Sequence, residues 1–320
     1  MQIDLPIFTE SPMSLIKLAM LVAPMLGVSA HDVTQAFTDT PRPRPAITRN
    51  VQDTGHFGNC RDQFAYGEPP AIASPDPRAR ALCFNGFAVL HSGKTKNPVY
   101  SAEVLSRQRI QDARNLQRTD AFYEEARIPS RDRASLNDFR GSTYARGHLS
   151  AAADMNNAEA MAQSFSLANI IPQNQVNNAK AWVTIEKATR QYALRAKGNV
   201  YVITGPAYLR NHCPFVKEAK EVLAGAGIAV PTNPQAVVAA AARLPGARVP
   251  YRYDAVACTI GSGVAVPTHI FKLVYDASTN RAWAHWSENT SQTRVYPPIS
   301  YTELVELTGI EFLPGIKPQP

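Results

Sequence analysis

Hydrophobic and polar positions fall into a readable order only beyond residue 80. In "CFNGFAVLHS" (83–92) and "NPVYSAEVL" (97–105), short apolar and β-branched runs predict two strands joined by a turn at Gly93-Lys94. The polar, arginine-rich stretch from Arg107 to Arg140 predicts a short helix mixed with loop. "SFSLANIIPQ" predicts a strand stopped by Pro172. From Asn178 to Lys197 the period lengthens: Trp182, Ile185, Thr189, Tyr192 and Leu194 make an approximate apolar helix face, and Gly198 stands where helices favour ending. "NVYVITGP" then predicts a buried strand. An alanine-rich piece from Val216 to Leu244 predicts a helical insertion broken by "AVPTNP", and "VPTHIFKLVYD" with "RAWAHWSENT" predicts a closing hairpin. The pattern is that of one mixed α+β domain, residues 81–320, with an insertion near 216–248.

The region before it reads differently. Lys17 is followed by an apolar run from Leu18 to Val28 and by Val28-Ser29-Ala30, the layout of a secretory signal peptide over residues 1–30, with Met13 as an alternative start. The run is too short to span a bilayer and Pro24 interrupts it, so no stable membrane insertion is expected after cleavage. Residues 31–80, with "TPRPRP" and "PPAIASPDPR", predict an extended arm. The expected location is exported, periplasmic or secreted.

Export gives the four cysteines a meaning. In an oxidising compartment Cys60, Cys83, Cys213 and Cys258 read as disulfides, and no C-x-x-C pair argues for zinc. Of three pairings, Cys60–Cys83 and Cys213–Cys258 are favoured because each closes a modest loop within one region. The first would pin the arm. The formal net charge is +7; residues 1–30 carry Lys17 against Asp4 and Glu10, so their removal leaves +8. Such a balance suits a polyanionic partner but does not identify one.

Candidate chemistry gathers in two places. Arg146 stands two residues before His148 in "YARGHLSAAADM", so on a strand both side chains project from one face. A general base beside a guanidinium suits phosphodiester hydrolysis. His91, His212 and His285 have no comparable company, and His269 reads as a strand residue with a satisfied ring nitrogen. On the helix, Asn178, Trp182, Glu186 and Arg190 are spaced by four and share one side. That spacing by itself also fits a surface ion pair between Glu186 and Arg190 and a core tryptophan.

Together, "FYEEARIPSRDRASLNDFRGSTYARGHLSAAADM" and "FSLANIIPQNQVNNAKAWVTIE", in this order, resemble the DNA/RNA non-specific endonucleases, the ββα-metal nucleases that include endonuclease G-like enzymes. The resemblance runs from about Phe87 to Tyr275. It implies an α+β fold of the ββα-metal nuclease type, with a central antiparallel sheet flanked by helices, a disulfide-pinned N-terminal arm, and Mg²⁺-dependent cutting of DNA and RNA irrespective of the sugar. It further implies that His148, with a near-neutral pKa, is the general base, that Asn178 rather than Asn177 is the sole protein ligand of Mg²⁺ (Mn²⁺ could substitute), that Glu186 holds a metal-bound water, and that Arg146 and Arg190 grip phosphate. DNA and RNA, single or double stranded, are the expected partners, together with an inhibitor protein; oligomeric state is open.

One position departs from the family signature, whose first residue is aspartate where this chain has Ala145. Either Asp154 or Glu186 substitutes for it, or turnover is slowed. The alternative function is accordingly a catalytically impaired nucleic-acid-binding homologue. A disulfide-rich secreted binding module with no nucleic-acid role is the third reading.

Overall fold

The strands whose alternation is clearest in the sequence lie in the middle of the sheet. The computed structural model describes residues 57–209, 213–245, 258–291 and 293–319. The strands that bear on the site are β1 (Ala79–Cys83), β2 (Ala88–Ser92), β3 (Asn97–Leu105), β4 (Tyr144–His148), β5 (Ile170–Asn174), β6 (Val200–Ala207), β7 (His269–Asp276), β8 (Arg281–Glu288) and β9 (Ile299–Ser300). All except β4 and β5 form one sheet in the order β9-β8-β7-β6-β3-β2-β1, each pair antiparallel. β4 and β5 make a separate antiparallel ribbon. Among the described residues the α-helices of seven residues or more are α1 (Arg107–Ala113), α2 (Ala158–Ser164), α3 (Val183–Arg195), α4 (Pro214–Gly225), α5 (Pro234–Ala241) and α6 (Tyr301–Thr308).

Period-two alternation sorts the central strands into two faces. Ala102, Ile203, Phe271, Leu273 and Tyr275 pack on one side with Phe57, Phe64, Leu304 and Phe312. Leu105, Val200, Val202 and Val274 pack on the other with Ile110 of α1 and Ala193 of α3. Burial of each large apolar side chain contributes about 1.5–3 kcal/mol. On this second face the same alternation also places Ser101, Glu103, Thr204 and Lys272, all buried. A sheet face that buries so many polar groups needs partners for them. α1 and the segment that follows β4 supply these partners, with Ser150 for Ser101, the Leu149 carbonyl for Lys272 and Arg109 for Glu103, and the polar patch becomes the floor of the site.

Several local expectations are corrected. "CFNGFAVLHS" is not one strand: Cys83 ends β1, and β2 begins only at Ala88, after a turn closed by Phe84 N donating to Phe87 O at 2.9 Å. Pro172 does not stop a strand but lies inside β5, opposite Arg146, because a two-stranded ribbon leaves an edge where a missing N–H costs nothing. α3 ends at Arg195 and leaves through Ala196 in extended conformation, so Gly198 is not its cap. Both favoured disulfides are present, Cys60–Cys83 and Cys213–Cys258. Within the arm, Phe57 and Phe64 are buried against Tyr100. α4 and α5 pack on each other through Val216, Leu223 and Val237. The signal-peptide expectation, the arm before Phe57 and His212 lie outside the described residues. Among the described residues no helix is long and apolar enough to cross a membrane.

Candidate active site

β4 carries Tyr144, Arg146 and His148 on one face and Ala145 and Gly147 on the other. The ribbon register sets Arg146 opposite Pro172, Ala145 opposite Gln173 and His148 opposite Ile170. Gly147 is needed for space: a Cβ there would stand 2.1 Å from Gln173 Oε1. That close approach lets Gln173 Nε2 donate to Asn177 Oδ1 at 2.7 Å. The glycine next to the histidine therefore makes room for a side chain from the neighbouring strand.

β5 runs directly into the helix that bears the remaining candidates. Asn174 caps it, accepting from the N–H of Val176 at 2.9 Å and of Asn177 at 3.2 Å. After one α-helical turn, Gln175–Asn177, the segment Asn178–Trp182 is π-helical, and α3 continues from Val183. In this wider turn, four residues fall just short of one revolution, so Asn178 and Trp182 do not follow the regular four-residue spacing that the sequence suggested. Asn177 is fully buried and its amide is occupied, donating to Ser287 Oγ at 2.9 Å and to Glu288 O at 3.1 Å. Asn178 is half-buried, and among the described residues its side chain has no hydrogen-bond partner. Of the two neighbours, Asn178 alone offers a free amide oxygen.

His148 is 8% exposed, and its Nε2 is buried without a hydrogen-bond partner. Phe122 and Phe165 enclose the imidazole, with centroids 5.5 and 4.9 Å away. Arg146 lies over Phe122 at 5.1 Å and Phe139 at 5.8 Å; Arg118 lies over Phe165 at 5.1 Å. Burial lowers the imidazole pKa to about 3, and the charge of Arg118 adds to the effect while Asp120 opposes it. The near-neutral value expected for the base is thus corrected: burial between Phe122 and Phe165 leaves too little water around the ring to solvate an imidazolium. Desolvation also lowers the Arg146 guanidinium. Arg146 has no carboxylate partner among the described residues, an arrangement that leaves it open to an anion.

Glu186 is half-buried and pushed up to about 7 by burial and by the like charge of Asp154, against Lys272, Arg190 and Arg118. The Glu186–Arg190 ion pair that the helical spacing also fits is not formed. Arg190 Nη1 instead pairs with Asp154 Oδ1 at 2.9 Å. Beneath them, Lys272 Nζ donates to Thr204 Oγ1 at 2.8 Å and to Leu149 O at 3.4 Å, and lies 5.7 Å from the Trp182 ring. Glu103, near Arg109 Nη2 at 3.4 Å, is held well above the carboxylate range by burial and by Asp154.

Arg146 and His148 thus share one aromatic pocket, while Glu186, Asp154 and Arg190 form an adjoining charged cluster. Arg118 acts electrostatically on both His148 and Glu186. Asn178 follows directly on Asn177, which accepts from Gln173 of the ribbon, so the helix start is joined to the strand that carries the histidine. Sequence reasoning did not single out Arg118, Lys272, Glu103 or Gln173. Arg118 was one arginine among many without a distinguishing spacing; Lys272 and Glu103 had only one legible signal, a charged residue within an otherwise apolar strand. Among the described residues no group of three or more His, Cys, Asp or Glu is placed to hold a metal ion.

Residues 73–319 match the model of the DNA/RNA non-specific endonuclease family. Similar proteins include Nuclease 1, mitochondrial, of Schizosaccharomyces pombe (33% identical over 47% of this chain and 45% of the relative), human Endonuclease G, mitochondrial (32%; 52% and 54%), and the mitochondrial nuclease of Saccharomyces cerevisiae (30%; 65% and 63%). The chain thus spans about half the length of the first curated relatives that it matches. A crystal structure of an EndoG/EndoGI complex shares the fold, with a TM-score of 0.58 at 22% identity over 84% of this chain and 95% of that one. With the family match extending from the start of the sheet through the ribbon, α3 and the closing strands, the chain belongs to the DNA/RNA non-specific endonuclease family.

Proposed function

We propose that this protein is an exported, Mg²⁺-dependent endonuclease that hydrolyses the phosphodiester bonds of DNA and RNA without selecting the sugar. One observation carries the reading: the buried, unpartnered Nε2 of His148 lies in an aromatic pocket beside two guanidiniums, Arg146 without a carboxylate partner and Arg118. A neutral imidazole nitrogen with nothing to bond to is suited to take a proton from a water approaching phosphorus.

The roles of the side chains follow from their surroundings. Arg146 and Arg190 bind the phosphate oxygens and stabilise the charge that builds on them in the transition state. Arg190 is steered by Asp154, whose carboxylate fixes the guanidinium from behind. Arrival of a phosphate also offsets the positive charge of Arg118, which raises the basicity of His148 when the base is needed. Asn178, with its free amide, and Glu186, acting through water, would hold a hard divalent ion, Mg²⁺ or Mn²⁺. Such an ion supplies charge neutralisation on the phosphate and on the departing oxygen. Contacts confined to phosphate read no bases, so sequence tolerance is expected.

Export rests on the leader-like residues 1–30 and on two disulfides, which persist in oxidising compartments. The mitochondrial names of the relatives favour a second location, and fractionation of cells producing the full chain separates the two. The related complex concerns inhibition of its nuclease; an inhibitor protein is the corresponding partner proposed here.

The test is nicking of a circular plasmid and digestion of RNA by the purified protein, with Mg²⁺ and with EDTA, alongside His148→Ala. Metal-dependent cutting of both nucleic acids, lost in the variant by roughly 10²–10⁴-fold, is the expected result. Binding without cutting by the wild-type protein would instead establish the impaired homologue that Ala145 suggests.

A further inference from the structure

Beside the site, between α1 with its following loop and α3, runs a groove of about 680 Å³. Its size falls within the range of small-ligand pockets, about 300–1,000 Å³. Arg114, Arg118, Lys187 and Arg190 line it, and no carboxylate does. Arg118 and Arg190 stand at the end shared with the site and are paired, with Asp120 and Asp154. Arg114 and Lys187 are exposed and have no ion-pair partner among the described residues. The remaining lining is largely aliphatic, including Leu116 and Met161, without an aromatic ring.

We propose that this groove is a strand-binding subsite for the nucleotide next to the scissile one, with Arg114 and Lys187 holding its phosphate and the aliphatic wall taking its unpaired base. The inference rests on the function proposed above. Four cations gather along one concave wall, and two of them, Arg114 and Lys187, have no counter-charge among the described residues, so the complementary occupant is a polyanion that continues out of the site. The aliphatic surface distinguishes the substrate class. A paired base is sequestered within its duplex, whereas a base in a single strand is free to leave water and pack into the groove. The subsite therefore favours single-stranded DNA or RNA. Lacking an aromatic platform, it takes any base.

The test pairs the wild-type protein with the double variant Arg114→Ala/Lys187→Ala on three substrates: a small chromogenic phosphodiester, a short single-stranded oligonucleotide and the matching duplex. Both changes are at exposed side chains, and an unchanged thermal melting curve verifies the fold. The expected result for the variant is a KM raised by about tenfold on the single strand with kcat retained, and a log–log salt dependence of binding shallower by roughly 0.7 for the one lost single-strand phosphate contact. The small diester, which does not reach the groove, should be cut equally well by both proteins. An unchanged KM on the single strand overturns the subsite; an equal rise on the duplex overturns the unpaired base. If neither protein cuts any substrate, the nuclease reading fails on its own account. Fluorescence anisotropy with the oligonucleotide then decides the subsite alone, which stands if the variant binds more weakly and falls if it does not.

Discussion

Gln173 fills the space that a side chain at Gly147 would need: a Cβ on the glycine would stand 2.1 Å from the glutamine Oε1 and 2.6 Å from its Cβ. The consequence reaches beyond the ribbon, since Gln173 bonds Asn177, immediately before the proposed metal ligand. Gly147→Ala must displace Gln173, at a cost of about 1–3 kcal/mol for overpacking. Thermal unfolding should show the loss, and kinetics should show a weakened apparent affinity for Mg²⁺. A variant with wild-type melting and metal response would mean that Gln173 moves away freely.

Asp154 and Arg190 form a pair in which the acid is 3% and the arginine 16% exposed at the side chain. Asp154→Asn keeps the shape and removes the charge that orients the guanidinium. Loss of an orienting partner of this kind typically costs about 10–100-fold in activity. Steady-state kinetics on a nucleic acid should place the loss mainly in kcat if Arg190 acts on the transition state; a change confined to KM would place it in ground-state binding.

His148 in the free protein should stay neutral far below the usual imidazole range, its pKa being held at about 3. A proton NMR titration of the ring checks this, and a midpoint near 6.5 would contradict it. Added inorganic phosphate should shift the midpoint upward. The same depression bears on stability. Between pH 6.5 and about 3 the unfolded chain binds a proton at this residue that the folded one refuses, so stability falls as pH falls through that window. His91 and His285, both lowered to about 4, act in the same sense. Glu186 and Glu103, both raised, oppose them from pH 4.5 up to about 7 and about 8 respectively, because there the folded state holds the extra protons. Below 4.5 that opposition ends; His91 and His285 finish near 4 and His148 continues to about 3, joined by Glu125, Asp138 and Asp276, whose lowered values also cost stability on acidification. Circular dichroism against pH should therefore show a steep loss of structure below about 4.5 rather than a gradual one from neutrality.

Ala145 faces Gln173 across the ribbon, on the side of β4 away from His148. A carboxylate restored there would act on the support of the helix carrying Asn178 rather than on the scissile bond. Ala145→Asp should speed hydrolysis by about tenfold, in the range of restored supporting contacts. Unchanged rates would mean that Asp154 or Glu186 already meets the need.

The short apolar runs of β3, β6 and β7 were legible because a sheet buried on both faces must be apolar or tightly partnered along its length. Arg146 and His148 were legible as a pair because strand geometry sets residues two apart on one face. Asn178 was separable from Asn177 only through its spacing to Trp182, and the structure adds that the Asn177 amide is already committed. The disulfide pairings followed from chain proximity.

Other features needed the folded chain. The π turn at Asn178–Trp182 has no local signature, since its backbone path depends on how the helix must meet β5 and the sheet. The partner of Arg190 is Asp154 rather than Glu186, because an ion pair forms where two elements converge and helical spacing only brings candidates near. The depressed basicity of His148 depends on Phe122 and Phe165, which are distant from it in sequence and exclude solvent only once packed. Local sequence determined which side chains could share a strand or helix face, through backbone periodicity; tertiary packing alone decided which charges meet, which are stripped of water, and which nitrogen is left free to act.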